Sequence, residues 1–219
     1  MRLFAILVYE FVSIKIDWKR MDFPLRFLKE CAMLTKYDND YVKEARRMEL
    51  NDIYNEHREL TGRVHCRGTP WQPGEYGVVV CVWVYDGRGH LLLTRRAKGK
   101  SFAGTWENSG GAAQAGESSR EAIARELFEE TGIKAEPEEF ELLDTDRDRN
   151  MFYDHYCLKR RVRLKDIVLL PGETDDVMWA SFGKIHWMIR AGKICKIIAH
   201  QFLRQEKALR LRNMPKFSR

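Results

Sequence analysis

Cysteine is scarce in this sequence and scattered along it. The five cysteines, Cys31, Cys66, Cys81, Cys157 and Cys195, are odd in number and form no Cys-x-x-Cys pair. That argues against a disulfide framework and against a structural zinc site, and it points to a reducing, cytoplasmic compartment. No stretch approaches the ~20 consecutive apolar residues of a membrane helix. A mean hydropathy of −0.48 likewise excludes a polytopic membrane protein. The apolar run at residues 3–9 is broken by Glu10 and has no small-residue cleavage site after it, so it does not read as a signal peptide. Internal repeats and low-complexity tracts are absent, which sets aside solenoids and disordered chains. What is present suffices for one domain with additions: 219 residues, 44% hydrophobic and 11% aromatic.

Charge divides the chain into three. Residues 1–47 carry ten Lys/Arg against seven Asp/Glu, and residues 182–219 carry ten against one. The middle is acidic, with 24 Asp/Glu against 18 Lys/Arg. The chemistry is expected in this acidic segment. The basic end reads either as a phosphate-facing surface or as a solvated helix. Residues 1–47 mix Trp18, Pro24 and Phe27 with charges and show no strong periodicity, so they read as an N-terminal extension of unknown role. Better patterning begins at Met48. The expected division is therefore an extension at 1–47, a catalytic domain at 48–200 and a basic C-terminal helix or tail at 201–219.

Residues 50–54 and 61–66 read as a β-hairpin around Asn55–Glu59. Residues 78–85 are a continuous apolar, β-branched run, the mark of a buried strand, with Trp83 in the core. A turn at 86–89 leads into a strand at 90–94, and a short extended piece at 106–109 runs into Gly110-Gly111. A helix follows, capped by Ser118 or Ser119 and closed by Gly132. Further strands are expected at 140–143, 152–162 and 176–181, and helices at 183–191 and 197–212. The sum is an α/β or α+β sandwich with a mixed sheet, one central helix and C-terminal helices. The lone histidines His57, His65, His155 and His200 show no ligand spacing and read as surface or hydrogen-bonded residues.

On that central helix, at about 100° per residue, Glu126, Glu129 and Glu130 share an arc of roughly 100°. Ala122 falls in the same arc one turn back. Ile123, Ala124, Leu127 and Phe128 occupy the sector that faces a core. Three like charges so close repel one another unless a divalent cation sits among them, and all-oxygen ligands suit Mg2+ or Mn2+. Arg125 has Glu121 at i−4 and Glu129 at i+4 and can hold the array. The Gly- and Ala-rich loop 110–116 can bring backbone groups close to a metal or a phosphate. The competing reading is an exposed, charge-laced helix.

The full spacing decides between the two. Gly111, Glu117 and then Arg125-Glu126-Leu127-x-Glu129-Glu130-x-Gly132-Ile133 resembles the Nudix box at every defining position. The resemblance to Nudix hydrolases covers about residues 48–200. It implies an α/β/α sandwich whose box forms a loop–helix–loop, and hydrolysis of a nucleoside diphosphate derivative with Mg2+ or Mn2+. Carried over, Glu126, Glu129 and Glu130 are metal ligands, with the Gly110 carbonyl as a further one. Arg125 orients the glutamates. Gly111, Glu117 and Gly132 are structural positions of the box. Glu173, six residues ahead of Trp179, is the candidate for an additional carboxylate from a late loop, with Asp175 and Asp176 as rivals. Glu126 or Glu129 takes the proton of the attacking water.

The flanks, Asp52-Ile53-Tyr54, Thr94-Arg95-Arg96-Ala97 and Gly104-Thr105-Trp106-Glu107-Asn108-Ser109, resemble the isopentenyl-diphosphate isomerase-like branch of the family. Isomerases need a cysteine just after this segment and a histidine close behind. Here those places hold Gly110-Gly111 and Ala112-Ala113, and no cysteine or histidine occurs from 91 to 154. Hydrolysis is favoured over isomerisation. Arg95 and Arg96 are candidate phosphate holders, and Tyr76, Phe102, Phe152 and Tyr153 are candidate stacking residues or core. The expected partner is a phosphorylated small molecule. Removal of pyrophosphate from RNA 5′ ends is the alternative suggested by the basic end. No membrane association is expected, and a homodimer stays open.

Overall fold

The computed structural model describes residues 50–213; the extension expected at 1–47 and the last six residues lie outside the described residues. Two strands, β1 (Leu50–Tyr54) and β2 (Leu60–Cys66), form the expected hairpin as a separate two-stranded sheet. The main sheet is mixed and seven-stranded: β3 (Gly77–Tyr85), β4 (His90–Arg96), β5 (Trp106–Glu107), β6 (Ser109–Ala112), β7 (Glu141–Asp148), β8 (Met151–Lys159) and β9 (Thr174–Ser181). One helix, α1 (Ser119–Thr131), lies between β6 and β7 in the chain, and α2 (Phe182–Arg190) and α3 (Lys196–Asn213) follow β9.

The central strand β3 explains the layering. Val78, Val80, Val82 and Val84 face α1, while Trp83 and Tyr85 face α2 and α3. Because both faces are covered, the strand reads as an unbroken apolar run rather than an alternation. Parallel β8 pairs along its whole length, and Trp83, only 1% exposed, meets Phe202 of α3 edge to face. Its indole N–H donates to Gln205 Oε1 at 2.8 Å. α3 is thus part of the core, with Phe202 and Leu209 fully buried.

One irregularity of the sheet positions the site. β3 and β4 pair only beside their turn, at Tyr85 and Leu91, and then splay apart. The segment 106–112 fills the wedge: β5 pairs with β4, and β6 crosses to pair with β3 at residues 79–82. This carries Glu107, Ser109, Gly110 and Gly111 under α1 at the middle of the sheet. A Cβ at Gly110 would run into the backbone of Val80, so only glycine allows this approach.

Three expectations are corrected. β7 runs on through the charged stretch to Asp148, because pairing with β8 across a tight turn satisfies its backbone whatever the side chains are. Phe128, expected to face a core, is at the edge of the apolar sector and 47% exposed, with the Lys134 ammonium 5.7 Å above its ring. His155 is neither at the surface nor hydrogen-bonded among the described residues. It is buried beside Tyr153, and burial pushes its imidazole pKa below the ordinary value.

Candidate active site

The α1 helix starts and stops as its local chemistry dictates. Ser118 is the N-cap: its hydroxyl accepts from the Glu121 N–H at 3.3 Å, and Glu121 Oε2 accepts from the Ser118 N–H at 2.7 Å. Gly132 ends the helix in the left-handed conformation, φ 70°, and donates to the Phe128 carbonyl. Since Glu121 serves the cap, it is not the partner of Arg125 that its spacing suggests.

Arg125 instead gathers the box. Its Nε and Nη2 donate to the two oxygens of Glu117 at 2.7 and 3.0 Å. Nη1 donates to Glu126 Oε1 at 2.8 Å and to Glu129 Oε2 at 3.1 Å, and Nη2 also reaches the Ala112 carbonyl at 3.2 Å. Glu117 in turn accepts from the Gln114 N–H, tying the loop to the helix. A planar guanidinium can serve this many acceptors from fixed directions; an ammonium could not.

The carboxylates differ in depth. Glu129 is about half exposed. Glu126 is largely covered and lies against Gly111, where any Cβ would collide with its carboxylate. Glu130 lies deepest: Ser109 and the Gly110 N–H hold it, while its Oε2 is buried with no hydrogen-bond partner among the described residues. Glu107 of β5 is a further acid of the site, one that the motif does not include. It is largely covered, and its Oε2 accepts from Arg96 Nη1 at 2.5 Å. Strand alternation with the core residue Trp106, four residues before the Gly-Gly pair, was the available signal for it.

The remaining candidates lie around this centre. Glu173 is partly exposed and paired with Lys100. Arg95 pairs with Asp175 at 2.6 Å and lies over the Trp106 ring, and Arg96 also donates to the Ser101 carbonyl. Tyr76 sits beside Phe152 with the Arg147 guanidinium over its ring. Phe152 is core, Tyr153 faces the opposite side of the sheet beside His155, and Phe102 is 53% exposed.

The hairpin braces the box from outside. Asn51 Nδ2 donates to the Ala113 carbonyl at 2.7 Å, Asp52 Oδ2 accepts from the Gly116 N–H at 2.7 Å, and the Ala115 N–H donates to the Leu50 carbonyl. Nothing in the motif itself announces these contacts.

A hard divalent cation fits this donor set. The ligands are oxygens, one of them is buried and unpartnered, and the glycine beside Glu126 leaves the approach open. As the side chains stand, no three His, Cys, Asp or Glu among the described residues converge into a cage. Arg125 draws Glu126 and Glu129 onto its own donors, so closing on a cation requires those carboxylates to turn.

Burial pushes the Glu130 carboxyl up to about 8, and the charge of Glu107 adds to the shift. Without a cation, the native state binds this proton more tightly than the unfolded chain does. Stability from this group is therefore lost as the pH rises from the unfolded carboxylate value, about 4.3, through 8. Added Mg2+ should accordingly raise the Tm more at pH 9 than at pH 6, where it must first displace the proton. An equal rise at both pH values would put the cation elsewhere.

A mixed sheet between one acid-bearing helix and two covering helices, with a capped loop–helix–loop of carboxylates around one arginine, defines an α/β/α sandwich with an acidic site at its centre. A NUDIX domain profile matches residues 75–196. An uncharacterised Nudix hydrolase of Listeria innocua is 32% identical over 160 residues, spanning 72% of this chain and 93% of that protein; its Listeria monocytogenes counterpart is 31% identical over the same shares. The chain belongs to the Nudix hydrolase family. An isopentenyl-diphosphate Δ-isomerase of Escherichia coli is 42% identical over 59 residues only, 26% of this chain and 32% of the isomerase. Among solved structures, DR0079 of Deinococcus radiodurans aligns with a TM-score of 0.60 at 24% identity over 72% of this chain and 99% of its own. A MutT protein of Methanosarcina mazei aligns at 0.51 and 24%, over 64% of this chain and 98% of its own; both show the shared fold.

Proposed function

We propose that the protein hydrolyses a pyrophosphate bond in a nucleoside diphosphate derivative or a related phosphorylated small molecule, with Mg2+ or Mn2+ bound at the α1 carboxylates. The observation that carries this reading is the unpartnered, buried Glu130 Oε2 inside the acidic cluster that Arg125 assembles. When bound, the cation neutralises the diphosphate and lowers the pKa of the attacking water. The chain's own residues do the rest. Glu126 and Glu130 hold the cation, with the Gly110 backbone as a further donor. Gly111 gives Glu126 room to turn. Arg125 sets the spacing of Glu117, Glu126 and Glu129 and moderates their repulsion. Glu126 or Glu129 accepts the proton of the water as it attacks phosphorus, and the second phosphate departs. Arg95 must give up Asp175 to reach a phosphate, Arg96 can offer one only the donors that Glu107 and Ser101 leave free, and Phe102 offers the exposed ring on which a base can stack.

A small molecule is favoured over RNA because the three arginines of α3 are already committed. Arg204 pairs with Asp144 and Asp146, Arg210 with Glu206, and Arg212 with Glu141. The test is a panel of nucleotides, nucleotide sugars, dinucleoside polyphosphates, 5′-triphosphate RNA and isopentenyl diphosphate, given to the full chain with Mg2+, Mn2+ or EDTA. Cation-dependent release of phosphate or pyrophosphate from a small molecule is expected. Turnover of RNA alone, or isomerisation without hydrolysis, would overturn the reading.

A further inference from the structure

The position of Glu107 extends the proposed function and rests on it. On β4, Arg95 pairs with Trp106 and Thr94 with Glu107. Trp106 enters the core beneath α2 and α3, so Glu107, the next residue, points to the opposite face, the one α1 covers. Two residues later Ser109 holds Glu130, which places Glu107 on the same wall as the deepest carboxylate. Glu107 Oε2 is taken by Arg96, while Oε1 takes no hydrogen bond among the described residues. Three covered acids, Glu107, Glu126 and Glu130, share this wall with the guanidinium groups of Arg96 and Arg125, and the Lys100 ammonium acts on Glu107 as well. An uncompensated buried carboxylate is costly, and one divalent ion among the three removes that cost. Glu173, by contrast, is partly exposed on its loop and engaged by Lys100.

We propose that Glu107, supplied by the sheet, is a ligand of the catalytic cation through Oε1, with Arg96 holding its other oxygen. The site then joins a helix, the Gly110 strand and the short β5 strand, all rigid elements, rather than borrowing a carboxylate from a surface loop.

Titrating the full chain with Mn2+ and following free Mn2+ by electron paramagnetic resonance tests this directly. Glu107→Gln is expected to weaken binding about 10-fold or more, the scale on which metal sites respond to loss of a supporting group. Binding by Glu107→Gln equal to wild type, or a loss in Glu173→Gln in place of Glu107→Gln, overturns the assignment while leaving the catalytic reading standing. A wild-type chain that takes up no Mn2+ overturns both. Should Glu107→Gln fail to fold, a wild-type crystal soaked in Mn2+ decides. An anomalous peak in coordination contact with Glu107 supports the assignment, and a peak touching only the α1 carboxylates overturns it.

Discussion

Glu126→Gln should lower kcat by about 10²–10⁴-fold at saturating Mg2+, the range contributed by a positioned proton acceptor. The substitution keeps the volume of the side chain and an oxygen for Arg125 Nη1, but it removes the charge that the cation and the attacking water need. The fold should survive, because Glu126 lies at the mouth of the loop and the buried surface of α1 is built from Ala122, Ile123, Leu127 and Thr131. Far-UV circular dichroism and Tm within a few degrees of wild type would confirm that the loss is chemical. Turnover near wild type under saturating Mg2+ would remove Glu126 from the mechanism.

The largest expected loss of stability is at Asp154, far from any motif. This carboxylate is 3% exposed and receives Arg58, with one bond at 2.8 Å, along with the hydroxyls of Ser119 and Thr145. It therefore ties the β1–β2 turn to the first turn of α1 and to β7. Asp154→Ala leaves the partly exposed Arg58 without its carboxylate and the Ser119 and Thr145 hydroxyls without their acceptor, and should cost about 2 kcal/mol. Burial pushes the Asp154 carboxyl up, but the bonds from Arg58, Ser119 and Thr145 outweigh burial and hold it below the ordinary value. The stabilisation is thus complete above the unfolded pKa, about 3.9, and is lost as the pH falls through the lower native one. The gap between wild type and Asp154→Ala in urea denaturation should stay constant from pH 5 to 7 and narrow on further acidification. A gap that does not change with pH would mean that packing, not charge, is what Asp154 contributes.

These two residues differ in how they were found. Glu126 is visible in the sequence because its partners lie within one turn of helix: Arg125 and Glu129 are its neighbours by helical geometry alone. The caps at Ser118 and Gly132 and the buried run of β3 are legible for the same reason, since each depends on a residue and its nearest neighbours. Gly110 and Gly111, expected in a loop, lie instead in β6 against the backbone of β3, about thirty residues away. Asp154 had no such signal. Its partner Arg58 is 96 residues away. The same holds for Asn51, whose contact with Ala113 spans 62 residues. Arg95 and Arg96 read as candidate phosphate holders until Asp175 and Glu107 are seen beside them, and the basic α3 reads either as a phosphate-facing surface or as a solvated helix, with nothing in the chain to announce the acids of β7 that lie opposite it.

The amino-acid order by itself determined the acid-bearing helix, its caps and the spacing of its acids, because an α-helix converts separation along the chain into position on a face. Only the tertiary structure decided that β3 and β4 part to admit Glu107 and the two glycines, which arginines are already neutralised and which elements brace the box. Those outcomes depend on strand pairing and charge pairing between distant segments, and such contacts leave no period in the chain.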